Sequence, residues 1–236
     1  GHIIEAAVRD VLGQLADRSS TVPVVLICVA RPELLERDPS WAAGRSNATL
    51  IQLEPLGSAE TRTLLERLLG IADIAPGVAE LIAERSAGNP LFCEEFVRML
   101  IEAGHLEFAD GRWRSLRRVT DLPLPESIQS VVAARLDGLP QIEKTTLQRA
   151  SVIGEHFPLD TLIALDGEVG AAPEALIRKG FFVVDRNDPS GRSLRFKHLL
   201  IRDIAYGSLA KADRATLHDR VRAQLEAEVS DRRDEF

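Results

Sequence analysis

At 236 residues the chain is long enough for two or three domains, and its 45% hydrophobic and 28% charged residues are those of an ordinary globular protein. Acidic residues outnumber basic ones, 36 against 29, and the net charge of −7 argues against constitutive binding of nucleic acid, whose phosphate backbone selects for a basic face. The longest apolar stretch, Val22–Ala30, carries Pro23 and falls far short of the ~20 residues a membrane-spanning helix needs. With no secretory leader in view either, the chain reads as a soluble cytoplasmic protein. Cys28 and Cys93 lack metal-ligand spacing and lie in apolar surroundings, so both are expected as buried, reduced thiols.

Aromatic residues make up only 5% of the chain, and the pattern is mostly helical. Residues 5–18 place Val8, Val11, Leu12 and Leu15 on one face of a helix. Val22–Ala30 is rich in β-branched residues and apolar on both faces, which predicts a central strand of a parallel sheet covered by helices. One strand makes no sheet, so its partners are expected before residue 1, and the N-terminus reads as cut. A short helical turn follows at Arg31–Arg37, then a loop over 38–47. A last, edge-proximal strand is expected over Ala48–Leu53, ended by Pro55-Leu56-Gly57.

Helices then take over. Ser58 is the expected N-cap of a helix reaching Leu69, and a second runs from Pro76 to about Ser86. A third opens with Asn89 as N-cap and Pro90 at the first helical position, and Gly104 stops it. Asp110-Gly111 between Leu106–Phe108 and Arg112–Arg114 predicts a hairpin, with a polar connector over 115–124. A helix begins at Pro125 and ends at Gly138. Three short helices over Glu143–Ile153, Pro158–Leu165 and Ala172–Lys179 precede two strands, Phe181–Asp185 and Ser193–Lys197, joined by a turn at 187–191. Three helices and a hairpin in that order predict a winged helix. One or two amphipathic helices cover His198 to about Glu228, and the charged residues 231–236 are expected to fray.

The order of these parts resembles the STAND-type signalling ATPases, relatives of the AAA ATPases. Val25–Leu34 resembles the strand and polar tip that detect the γ-phosphate there, and Ala87-Gly88-Asn89-Pro90-Leu91-Phe92 resembles the Gly-x-Pro motif of the lid. Leu124–Ile128 and Phe196–Tyr206 resemble the winged-helix part. The resemblance spans about residues 5–228. It implies a mainly α chain with a small α/β remnant: the end of a parallel-sheet nucleotide-binding domain (1–54), a helical lid (55–105), a hairpin and connector (106–123), a winged-helix domain (124–209) and a C-terminal helix and tail (210–236). Large bacterial regulators, in which such an ATPase sits beside a nucleotide cyclase or a LuxR-type DNA-binding domain, are the nearest in kind. No Gly-x-x-x-x-Gly-Lys-Ser/Thr loop and no strand ending in paired acids occur here. This segment alone is therefore not expected to hydrolyse ATP or to hold a cofactor.

Four residues carry the functional expectation. Arg31, at the end of the expected strand, is placed to donate to a γ-phosphate; its plain alternative is a surface arginine paired with Glu33 or Glu36. Gly88 and Pro90 start a helix, and by resemblance Pro90 also packs on adenine while Gly88 admits close backbone approach. His198 is the counterpart of a winged-helix histidine that reaches the β-phosphate of ADP, or else it caps the helix that follows. Glu94 and Glu95 are set aside as an acid/base pair because adjacent helical residues point in different directions. His105, His156 and His218 belong to no constellation, and Arg112, Arg114, Arg117 and Arg118 around Trp113 read as a solvated hairpin and connector.

The function implied is a switch in which ADP, or ATP with Mg²⁺, is held by the intact parent protein. Its partners are nucleotide, the output and sensor domains of the same parent chain, and further copies on activation; no membrane is involved. One alternative is a winged-helix DNA-binding regulator reading with Ala172–Lys179, where Arg178 and Lys179 stand against Glu174. The other is a structural adaptor without nucleotide.

Overall fold

The computed structural model describes residues 6–18, 25–31, 33–39, 47–70, 78–110, 112–115, 125–167 and 169–234. The chain divides into two compact units, residues 1–54 and 55–236. It is mainly helical, with strands only in two small antiparallel sheets among the described residues.

The first unit contains α1 (Ala6–Arg18) and α2 (Glu33–Arg37). The expected strands do not form: residues 25–30 and 48–53 pair with nothing among the described residues. Val25, Ile27 and Val29 are 86%, 82% and 90% exposed, and Cys28 is exposed as well, against the expectation of a buried thiol. A run apolar on both faces gains its burial from flanking strands and covering helices, and no strand among the described residues pairs with it.

The second unit begins with α3 (Ser58–Leu69), α4 (Val78–Ser86) and α5 (Pro90–Glu102). The N-cap of α3 is Gly57, not Ser58; the Gly57 N–H donates to Glu60 Oε2 at 2.8 Å, leaving Ser58 as the first helical residue. Asn89 caps α5 as its sequence requires, its Oδ1 accepting from the N–H groups of Leu91 (3.0 Å) and Phe92 (3.2 Å). α5 ends in two backbone bonds, from Gly104 N–H to Ile101 and from His105 N–H to Leu100. The hairpin β1 (Leu106–Ala109) and β2 (Arg112–Ser115) pairs Ala109 with Arg112 around Asp110, whose φ is +52°. The Trp113 indole N–H donates to the Leu69 carbonyl at 3.0 Å, satisfying a C-terminal carbonyl of α3. A first core forms from Leu65, Ile82, Phe92, Phe96, Leu100 and their neighbours on these elements.

α6 (Ile128–Asp137) starts three residues later than expected, because Ser127 rather than Pro125 marks its start; Ser127 Oγ accepts from Ser130 N–H. α7 (Gln141–Ile153), α8 (Leu159–Asp166) and α9 (Ala172–Arg178) follow. Between α7 and α8 lies a strand the pattern did not predict, β3 (His156–Pro158), too short for an alternation to show. It pairs antiparallel with β5 (Ser193–Phe196), which pairs on its other side with β4 (Phe182–Val184), giving the order β3-β5-β4. Phe157, Phe182 and Phe196, one from each strand, meet edge to face with centroids 5.1–5.8 Å apart in a second core. α10 (Leu199–Gly207) and α11 (Lys211–Asp234) complete the unit, α11 remaining helical to Asp234 where fraying was expected.

The three-stranded sheet is tied at its rim by His156, whose Nδ1 lies 2.7 Å from Asp185 Oδ2. That imidazole and the Asn187 N–H hold the Asp185 carboxyl below its ordinary range. A carboxylate depressed in the folded state stabilises above its unfolded pKa, about 3.9, and that stability is lost as pH falls through the folded value. Asp185→Asn is therefore expected to lower Tm near neutral pH, with the gap to wild type closing as pH drops below about 4; a thermal-melt series across pH measures this.

Candidate functional site: the charged face of α5

α5 carries Glu94, Glu95, Arg98 and Glu102 opposite its core-facing Phe92, Phe96 and Leu100. Spacings of three, four and seven residues align these charges along one side of a helix. They are buried or partly buried, and they meet α6 and the residues that precede β4 and follow β5.

Arg135 of α6 is the centre of the buried part. Its guanidinium bonds Glu95 Oε2, takes both oxygens of Glu102 at 2.8 and 2.7 Å, and donates to the Lys179 carbonyl at 2.6 Å. It also lies over the Phe181 ring, 4.3 Å from the centroid. The side chains of both Arg135 and Glu95 are wholly buried.

The outer part is partly exposed. Glu94 Oε1 accepts from Arg98 at 3.0 Å and from Lys197, which follows β5. His198 Nε2 is 3.7 Å from Glu94 Oε2, an electrostatic neighbour too distant for a hydrogen bond. The His198 imidazole, then Lys197 and Arg98, hold the Glu94 carboxyl well below the usual carboxylate range against the opposing effect of burial. The Arg98 guanidinium covers Gly180, where a Cβ would stand 2.8 Å from its central carbon. His198 occupies the N-cap position of α10 but makes no capping bond with its side chain, which removes the capping alternative.

Three of the four expected residues thus lie near α5. Pro90 is exposed in its first turn, and Glu94, beside His198, is one turn along on the same side. Gly88 is buried with φ +73°; the segment that approaches its backbone is Pro55-Leu56, with Leu56 N–H donating to the Gly88 carbonyl at 2.9 Å. Arg31 is exposed in the first unit, at a segment that forms no strand, so the strand-end geometry expected for it is not present. Arg117 and Arg118 lie outside the described residues, as does Gly111.

Arg135 escaped the sequence reading because a lone arginine at the end of an amphipathic helix reads as a solvated C-terminal charge. Glu94 and Glu95 were set aside on the angle between adjacent side chains, yet one oxygen of each comes within 4.8 Å of a ring nitrogen of His198. The pattern Glu-Glu-x-x-Arg-x-x-x-Glu on the polar side of a core helix was the available signal. A cavity of about 460 Å³ lies elsewhere, between α3 and α4, rimmed by the Arg62–Glu80 ion pair at 2.8 Å.

A family described as a "Domain of unknown function (DUF8739)" matches residues 57–114, which cover α3 to β2. "Uncharacterized protein R02095" of Rhizobium meliloti (strain 1021) is 26% identical over 230 residues, taking in 93% of this chain and 21% of that protein. The chain therefore spans about a fifth of the length of this relative. No solved structure matches.

Two substitutions test the local reasoning. Arg135→Ala leaves Glu95 buried without its partner and should destabilise the unit by about 3–5 kcal/mol in urea denaturation. Gly88→Ala forces a side chain into positive φ and to within 2.4 Å of the Leu56 carbonyl oxygen. A loss of about 2 kcal/mol or more is expected by the same assay.

Proposed function

We propose that this chain is the regulatory part of an ADP/ATP-dependent signalling switch of the STAND type, in which residues 55–105 act as the lid and 124–209 as the winged helix that latches onto it. The observation that carries the reading is the closure of Lys197 and His198 onto Glu94, one turn beyond the Asn89-Pro90 start of α5. A ligand at that helix start would meet the hairpin's basic pair directly, so lid and hairpin would be linked through it. Exchange of ADP for ATP would change those contacts and release the hairpin, which is how a ligand with different affinity for two states biases them. Residues 1–54 would complete the α/β nucleotide-binding domain together with upstream sequence. Placement within a far longer bacterial protein, of which the matched relative is an example, suits a switch that controls an output domain such as a cyclase or a transcription-regulating domain.

The DNA-binding alternative loses ground on one contact. Lys179, one of two basic residues available on its reading helix, is held by Glu143 at 2.6 Å and offers its carbonyl to Arg135.

Calorimetric titration of ADP into the protein with its upstream sequence included tests the proposal. Saturable binding is expected, weakened about tenfold (~1.4 kcal/mol) by Pro90→Ala and by His198→Ala separately. Absence of binding, or affinities unchanged in both variants, would remove the nucleotide switch.

A further inference from the structure

Each group around His198 has one donor atom engaged and one left over. Glu94 gives Oε1 to Arg98 and Lys197, and its Oε2 faces the imidazole. Glu95 gives Oε2 to Arg135, while its Oε1, in a side chain with no exposure, has no hydrogen-bond partner among the described residues. His198 Nε2 is buried and is likewise without a partner among them. A buried carboxylate oxygen without a hydrogen bond is destabilising, so such an atom calls for an explanation. Both unsatisfied atoms belong to one cluster: Glu94, Glu95 and His198 each bring one potential ligand atom to within 4.8 Å of the other two.

We infer that Glu94, Glu95 and His198 form a binding site for a divalent transition-metal ion, Zn²⁺ above all. One imidazole nitrogen with two carboxylate oxygens is a donor set of that class, whereas Mg²⁺ and Ca²⁺ take six or more oxygens. Bond lengths of about 2.0–2.2 Å in a tetrahedron put ligand atoms about 3.3–3.6 Å apart, so the present spacing closes with small side-chain rotations. The ion pairs already made serve the site. Arg135 fixes the Glu95 carboxylate through its other oxygen, and Arg98 with Lys197 does the same for Glu94, which is the outer-sphere orientation that metal ligands ordinarily have. The same three cations oppose a dication and so weaken its binding relative to a site without them. Because two ligands come from α5 and one from the residue entering α10, the ion would fasten the helix to the hairpin. Three protein ligands leave one position open, for water or for a phosphate oxygen, so the site and a nucleotide at the start of α5 are compatible.

The inference does not depend on the nucleotide reading, and its test uses no nucleotide. Zn²⁺ is titrated calorimetrically into the chain, and Co²⁺ is used in parallel as a visible-absorption probe. One ion per chain with micromolar Kd is expected, together with a rise in Tm at saturating Zn²⁺. His198→Ala, a change at a partly exposed side chain, should weaken binding at least tenfold and remove the Co²⁺ absorption of low coordination. His156→Ala should leave both unchanged, although His156 also has carboxylates beside it at 2.7 and 3.9 Å. Glu95→Gln is read only if its circular dichroism matches wild type, since it also disturbs Arg135. Absence of one-to-one binding, or binding by His198→Ala within twofold of wild type, would overturn the assignment.

Discussion

A single arginine sets the arrangement of the larger unit. Moving a guanidinium and a carboxylate out of water costs several kcal/mol for each, and a bare ion pair rarely recovers it. Arg135 meets the condition under which it can, because its planar fork makes four hydrogen bonds, to two carboxylates and a carbonyl, and its face lies on an aromatic ring. Those partners sit on α5, at the end of α9 and at the start of β4. The satisfied geometry exists only when α5, α6 and the hairpin stand in one relation, so the interaction specifies an arrangement more than it adds stability.

That constraint acts where the two larger apolar cores adjoin. The first gathers α3, α4 and the inner side of α5 with Leu106 and Val131, the second gathers α6 to α10 with the three strands, and Ile128 of α6 packs against both. α5 belongs to the first by its phenylalanines and faces the second with charge. Apolar packing tolerates sliding of one helix along another, because Leu and Phe contacts are non-directional. A row of ion pairs does not, since each has a fixed partner and length. The charged seam therefore fixes the register that the cores leave open.

Most of the larger unit was legible in the sequence, for reasons that lie in particular residues. Asn89-Pro90 announces a helix start through a side-chain acceptor and a missing N–H, and Gly104 announces its stop. The hairpin at Asp110 and the β4–β5 turn, where Asp188 accepts from the N–H groups of Ser190, Arg192 and Ser193, follow from equally local chemistry. What could not be read was non-local. β3 exists only because β5 offers it a ladder, and Val25–Ala30 finds no such ladder among the described residues. The charges at 94, 95, 98, 102 and 135 look solvated until the helices that carry them are placed against each other. Of the four residues singled out for function, His198 gained the most from the structure, since its neighbours come from positions about a hundred residues away in sequence.

The seam is also graded, and the gradient bears on function. At its inner end Arg135 and Glu95 are sealed from water, and separating them would expose a charge with no replacement partner. At its outer end Lys197 and His198 are a quarter to a third exposed, at 23% and 32%. Groups so placed exchange partners at little expense, because water, an anion or a cation can take over each bond as it breaks. The inner end therefore keeps α5 and α6 together, while at the outer end the bonds to the residues that follow β5 are the exchangeable ones. Both properties lie along a single helix, separated by the angle between Glu94 and Glu95.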